Sequence, residues 1–272
     1  MTPSGPAKVP YLVLVLCLLL PACAATHAPG SGGEGQAAAE PDPGNGDPLE
    51  PLNRAVYSFN ETLDRYVMRP VASGYRTAIP PPIRHGVSNF FNNLYEPTVM
   101  VNNLLQGKFK AAAADLGRFV TNTTLGVFGL FDIAGWSGLP AHSEDFGQTL
   151  GSWGVQEGPY LVLPFFGPSN IRDGIGRYGD YLTYPPSYME QQSAYWKLFA
   201  LQTVDTRAQL LDAGDILEQA AGKDPYIFVR EAYRQRRRSL INDGSAQEPA
   251  PVDPSIFEDD RPKPKTPSPE PR

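Results

Sequence analysis

Four arginines in the segment "DPYIFVREAYRQRRRSL" have a spacing that could do chemistry. Arg230, Arg234, Arg237 and Arg238 fall at i, i+4, i+7 and i+8, so a helix places them on one face. A guanidinium is a planar fork of donors, and a stripe of them can grip phosphate oxygens in pairs. Against an anionic membrane surface each charge would contribute about 1 kcal/mol. The competing reading is a solvated helix end, where cations suit the dipole. Asp224 and Pro225 open this helix with a side-chain cap and a proline in the first turn. Arg230, Arg234 and Arg237 are the candidate head-group contacts.

Patterns that would carry catalysis do not assemble. "HSEDF", His142 to Phe146, sets His, Ser, Glu and Asp side by side, but adjacent residues do not face one another and a triad is built in space. Ser143, Glu144 and Asp145 read more simply as a helix start. No G-x-S-x-G elbow is present. "GIGRYG", Gly174 to Gly179, fits G-x-G-x-x-G by letter. That motif needs a strand running into its first glycine and an acid about 20 residues on, and neither stands here. The plainer reading is a helix with small residues on one side for close packing. Three histidines are spread along the chain, at 27, 85 and 142, and make no metal cluster. No catalytic residue, cofactor or metal is expected, so the chain reads as no enzyme.

The cysteines point to a membrane. "YLVLVLCLLL", Tyr11 to Leu20, has the length of a signal-peptide apolar run, too short for a stable span. "LPAC" follows, with small Ala22 before Cys23 and Leu20 three residues earlier. It looks like a lipobox, in which the cysteine becomes the acylated first residue of the mature chain. Residues 1–22 are then a signal peptide, and loss of Cys17 leaves Cys23 as the lone thiol. An ordinary secretory signal with a free thiol is the alternative. Three acyl chains exceed the two-signal threshold for stable anchoring. Ala24 in place of an aspartate favours the outer membrane.

Net charge is −6, which gives no sign of nucleic acid, and 41% of residues are hydrophobic, enough for a packed core. The 29 prolines and 26 glycines are unevenly placed and draw the boundaries. Residues 23–46 form a flexible linker, residues 47–242 one compact domain and residues 243–272 a disordered proline-rich tail.

Within the domain the periodicity predicts mostly helix with at most a short hairpin, as an irregular set of short glycine-jointed elements. A helix starts at Asp47 and Pro48. Another over "IRHGVSNFFNNLYEP" is expected to stop at Pro97, with a short helix over "TVMVNNLLQG" after it. "KFKAAAADLGRFVTNT" is rich in helix formers. Tyr160 to Leu163 is extended, and Ser169 caps the helix that follows. "YWKLFALQTVDTRAQLLD" is the cleanest amphipathic helix, with Trp196, Phe199, Ala200, Val204, Ala208 and Leu211 at the helical period.

One stretch resists this scheme. "TNTTLGVFGLFDIAGWSG", Thr121 to Gly138, is aromatic, apolar and glycine-rich, yet too short and broken to span a bilayer. A buried core connection would explain it. Held at a leaflet by an acylated Cys23, the same residues could instead face lipid.

Taken together, "DPLEPLNRAVYSFNETLDRYVMRPVASGYR", "VSNFFNNLYEPTVMVNNLLQGK", "GRFVTNTTLGVFGLFDIAG", "EDFGQTLGSWGVQEGPYLVLPFFGPSNIRD", "TRAQLLD" and "DPYIFVREAY" resemble the MlaA (VacJ) outer-membrane lipoproteins. The resemblance covers most of residues 47–242. It implies a membrane-embedded helical ring in the inner leaflet of the outer membrane, around an amphipathic channel. Phospholipids misplaced in the outer leaflet would pass through it to a soluble MlaC-like periplasmic carrier, and members associate with trimeric porins. A phospholipid-modifying hydrolase or a tethering lipoprotein is the alternative. On this reading Gly126 to Pro140 is a loop bordering the channel. Phe128, Leu130, Phe131 and Trp136 line it, and Tyr160, Leu163, Phe165 and Phe166 form a second lipid-facing patch.

Overall fold

The computed structural model describes residues 47–222 and 224–243. The chain divides into two units, 1–45 and 46–272, and the second carries every element named below. The expected signal peptide, Cys23, the expected linker and the expected tail beyond Asp243 lie outside the described residues.

The unit is mostly helical, with one two-stranded hairpin. α1 (Glu50–Leu63) follows an Asx turn in which Asp47 Oδ1 accepts from Leu49 N at 3.1 Å. Five residues of π-helix, Asp64–Met68, join it to α2 (Arg69–Ala78). There Arg69 N donates to Asp64 O, an i→i−5 bond that widens the turn just ahead of Pro70. α3 (Pro81–Leu105) and α4 (Phe109–Thr124) form a helical pair turning at Gly107, whose φ is +75°. After a glycine-rich loop come the short α5 (Ile133–Trp136) and α6 (Phe146–Ser152). β1 (Tyr160–Leu163) pairs antiparallel with β2 (Gly167–Asn170), Tyr160 opposite Asn170. α7 (Ile171–Thr183), a 3₁₀ turn at Pro185–Tyr188, α8 (Gln192–Gln209), α9 (Leu211–Ala220) and α10 (Pro225–Ile241) complete it.

Two boundaries differ from expectation. Pro97 sits inside α3 rather than ending it. An interior proline costs about 3 kcal/mol. Buried polar side chains on both sides of it, Asn93, Glu96, Asn102 and Asn103, tie α3 to its neighbours and hold the helix straight through. The cap of α7 is Asn170, not Ser169: Asn170 Oδ1 accepts from Asp173 N at 2.7 Å. The predicted starts at Asp145 and Asp224 stand, with Asp145 accepting from Gln148 N and Asp224 from Tyr226 N, whereas α1 begins at Glu50 and not at Asp47, with Leu49 at its N-cap and no side-chain cap.

Apolar packing is sparse. One cluster joins Ala72, Ala208 and Leu211, with Tyr75 against it, where α2 meets α8 and α9. A second gathers Tyr160, Val162 and Tyr226 between β1 and α10. Elsewhere the inside is largely polar. Among the described residues nineteen polar or charged residues are buried against eleven apolar ones. α4 turns Asp115, Arg118 and Asn122 inward and leaves Leu116 and Val120 exposed. α7 buries Arg172, Asp173 and Gly176 while Ile171, Ile175, Tyr178 and Leu182 form an outward stripe. α8 largely inverts the expected face too: Trp196 and Phe199 lie outside, and of the predicted stripe only Ala208 and, at the start of α9, Leu211 are buried. Among the described residues no helix is long and apolar enough to cross a membrane.

Candidate functional site

The loop after α4 is built by polar anchors beneath apolar tips. Val127, Phe128 and Gly129 are three consecutive residues with positive φ, at 52°, 57° and 88°. That geometry is unusual for Val and Phe, so neighbouring bonds must impose it. Phe128 N donates to Thr123 O at 3.0 Å, Gly129 N to Asn122 O at 2.8 Å and Phe131 N to Gly126 O at 2.9 Å. Asn89 Nδ2 donates to Leu130 O, and Asn93 Nδ2 to Thr123 Oγ1. A Cβ on Gly129 would lie 2.4 Å from Asn93 Cβ, so only glycine fits this approach.

Beneath the loop, Arg118 is the hub. Its Nε donates to Glu96 Oε1 at 2.9 Å, Nη1 to Leu139 O at 3.0 Å and Nη2 to both Asp132 oxygens at 3.1 and 3.2 Å. Asp132 also accepts from Asn122 Nδ2 and from Gly135 N, capping α5. Burial favours the neutral form of Asp132, but these donors outweigh it and hold the carboxyl below its usual value. At Glu96 burial wins over Arg118 and raises the carboxyl. The result is a rigid polar floor with Phe128 (72% exposed), Leu130, Phe131 and Trp136 (73% exposed) standing out from it. Phe131 and Trp136 have ring centroids 6.5 Å apart, and all four predicted residues are exposed.

The second predicted patch divides. Phe165 and Phe166 are exposed in the hairpin turn, where Phe165 has φ +68° and its ring meets Phe59 at 5.5 Å. Arg177 lies 5.4 Å over the Phe166 ring. Leu163 is half-buried. Tyr160 is 1% exposed and does not belong to the surface: it is the centre of the β1–α10 cluster, against Tyr226 and Tyr233. An alternating strand sends its odd residue inward, and here that residue is Tyr160.

The arginine stripe also turns inward. Arg237 forks onto Asp145, with Nη1 to Oδ2 at 2.5 Å and Nη2 to Oδ1 at 2.9 Å, and reaches Asp173 Oδ1 at 2.9 Å. Burial opposes the charge on both aspartates, but Arg237 and neighbouring donors hold each carboxyl below its usual range. Arg230 is fully buried, bonded through Nε to Glu231 with Nη1 3.9 Å from Asp47 and from Glu50. Arg234 stands 5.8 Å over the Tyr160 ring and 3.8 Å from Glu231. Arg230 and Arg237 thus lie against α1, α6 and α7; the Arg237 fork is occupied by carboxylates, while Arg230 Nη1 and Nη2 are buried with no hydrogen-bond partner among the described residues. Spacing alone gave the shared face correctly but not what lies against it.

The glycine motif does what close packing requires. A Cβ on Gly176 would lie 2.5 Å from Gly147 N, and one on Gly179 2.5 Å from the Phe146 ring. α6 and α7 therefore cross almost in backbone contact. His142 is paired through Nδ1 with buried Asp115, at 2.6 Å, a partner that its own sequence neighbourhood does not reveal. Among the described residues no group of acids, cysteines and histidines could hold a metal ion.

Residues 45–240 match the family described as MlaA lipoprotein. The chain is 43% identical over 212 residues to the intermembrane phospholipid transport system lipoprotein MlaA of Escherichia coli (strain K12), covering 74% of this chain and 80% of that protein. It is 38% identical to the protein of the same description from Haemophilus influenzae, over 74% of this chain and 82% of that one. A solved structure described as the structural basis for maintenance of bacterial outer membrane lipid asymmetry aligns with a TM-score of 0.64 at 41% identity. It covers 72% of this chain and 99% of its own. With the family match spanning well over half of its length, the chain belongs to the MlaA lipoprotein family.

Proposed function

We propose that this protein removes phospholipids misplaced in the outer leaflet of the outer membrane. It passes them through an amphipathic opening in a ring-like, membrane-embedded helical domain to a soluble MlaC-like periplasmic carrier, and so maintains lipid asymmetry. Cys23, acylated, holds the domain to the periplasmic side of that membrane, beside a trimeric porin. Phe128, Leu130, Phe131 and Trp136 meet acyl chains, and Phe165 and Phe166 do so at the hairpin. No bond of the lipid is made or broken.

The observation that carries this reading is the inverted burial: buried Arg118, Arg237 and Asp173 beneath exposed Phe128, Trp136, Ile175 and Trp196. In water that arrangement would leave a large apolar surface uncovered. In lipid it is the expected one, because polar groups must find partners inside the protein. The names of the relatives, which concern intermembrane phospholipid transport, support the same direction.

The test is deletion of the gene with measurement of surface-exposed phospholipid and of detergent–chelator sensitivity. Both should rise and be restored by the intact chain, and unchanged values would refute the proposal. The Asp115–His142 pair is the arrangement that favours the hydrolase alternative. Release of lysophospholipid by the purified protein would establish that alternative in its place.

A further inference from the structure

A cavity of about 770 Å³ opens where α3 turns into α4, lined by Asn103, Lys108, Lys110, His142, Glu144 and Asp243. Its walls carry both signs of charge. Among the lining residues is Lys110, an exposed cation with no ion-pair partner among the described residues. α4 begins beside it at Phe109, with no side-chain cap, so its first N–H groups and positive dipole end are open to a ligand. Asp115 holds the His142 ring through Nδ1, which leaves Nε2 as the nitrogen for a further partner.

The lining also holds acceptors. Asn103 is fully buried; its Nδ2 donates to Asp115 Oδ2 at 2.7 Å, while its Oδ1 has no donor among the described residues. A buried carbonyl oxygen left without a donor is costly, and it marks where a ligand's N–H would sit. Glu144 and Asp243 share the single amine of Lys108, so carboxylates outnumber the cation between them. Exposed Phe109 gives the rim an apolar lip.

We propose that this cavity receives the zwitterionic head group of a phosphoethanolamine-type phospholipid. The phosphate meets Lys110, His142 and the start of α4. The ammonium meets Asn103 Oδ1 and the carboxylates of Glu144 and Asp243. Acyl chains leave over Phe109. This assignment rests on the lipid-conduit reading and adds to it a binding site and a head-group class.

The test titrates the purified full-length lipoprotein, in a phosphate-free detergent, with dihexanoyl-phosphatidylethanolamine, dihexanoyl-phosphatidylglycerol and inorganic phosphate. Calorimetry gives affinity and the His142 ring resonance reports the site. The ethanolamine lipid should move that resonance and bind about tenfold more tightly than the other two, the worth of one charge-assisted hydrogen bond. Lys110→Ala, at an exposed position that leaves the fold intact, should weaken it about tenfold. Equal binding of the glycerol lipid, equal binding of inorganic phosphate, no binding, or an unaffected Lys110→Ala each overturns the assignment. Retrieval of surface phospholipid by the intact chain, measured in parallel, separates the two readings. If retrieval persists without head-group selectivity, the cavity assignment alone fails. If retrieval is absent, the conduit reading fails.

Discussion

Asn53 and Asn60 stand seven residues apart on α1 and offer their amides to the same edge of β1. Asn53 Nδ2 donates to Tyr160 O at 3.0 Å and its Oδ1 accepts from Val162 N at 2.9 Å. Asn60 repeats the pairing with Leu163 O at 3.0 Å and Phe165 N at 2.9 Å. Two side chains thus act as a third strand and close an edge that would otherwise leave buried backbone groups unpaired. Asn53→Ala is expected to destabilise by about 2–3 kcal/mol, because it strands two buried backbone groups, and Asn60→Ala by about 1 kcal/mol at its more open position. Hydrogen exchange should locate the effect: the Val162 amide quickens in the first variant and the Phe165 amide in the second.

Arg118 joins Glu96 and Asp132 across the α3–α4 pair. Arg118→Met should cost about 3–5 kcal/mol, since it leaves carboxylates without their cation. Arg118→Lys should recover little, because one ammonium cannot reach Glu96, Asp132 and Leu139 O together. Denaturant midpoints of the two variants decide this, and full rescue by lysine would show the fork to be unnecessary.

Much of this fold was legible in the sequence, and the misses share a cause. Helix starts at Asp145 and Asp224 were readable because a cap is a local event. The strand at Tyr160 to Leu163 was readable from its short apolar run before Pro164. The loop patch at Phe128, Leu130, Phe131 and Trp136 was singled out by density of aromatics among glycines. What failed was the rule that an apolar stripe faces inward. Trp196 and Phe199 have the right period and the opposite direction; the proposed lipid setting would account for this, since there the polar face needs the protein interior. The same inversion hid the roles of Arg230 and Arg237. Their partners Asp47, Asp145 and Asp173 lie far away along the chain, and no local spacing encodes them.

Two carboxyl sets predict opposing pH limbs. Burial pushes Asp180 up to about 6, against the bonds it accepts from Phe146 N and Asn102 Nδ2. Between the ordinary value and about 6 the folded chain holds a proton that the unfolded chain lacks, so stability rises as pH falls through that window. Asp145 and Asp173 have lowered values. Their contribution is present above the ordinary carboxylate value and is lost as pH falls through the lower folded value. Stability should therefore peak near the ordinary carboxylate value, at about pH 4. Asp180→Asn keeps an oxygen for both donors and should flatten the upper limb while leaving the acid limb, as read from denaturant midpoints across pH.

Gly176 and Gly74 separate packing from propensity. Gly176→Ala would force a methyl to within 2.5 Å of Gly147 N and should destabilise by about 1–3 kcal/mol or more. Gly74 lies in α2 with open space around it, so Gly74→Ala should stabilise by about 0.5–1 kcal/mol. Thermal melts of the pair give opposite signs if the α6–α7 crossing is as close as the backbone indicates.

Phe128 allows the lipid-facing reading to be tested with a change of sign. Its ring is exposed and its φ is +57°, a conformation that aspartate adopts more readily than phenylalanine. Phe128→Asp should therefore leave stability in detergent within about 0.5 kcal/mol or raise it slightly. Membrane association should move the other way. Removing one inserted ring forfeits about 1.5–3 kcal/mol of apolar burial, roughly ten- to hundredfold in partition, and the new charge adds to the loss. Phe131→Asp should behave alike, and in cells both should leave phospholipid at the surface. Vesicle flotation beside a denaturant melt gives both readings on one sample. A variant that melts early yet floats as before would place the ring in a protein interior instead of in lipid, because only a buried ring couples to folding and not to the bilayer.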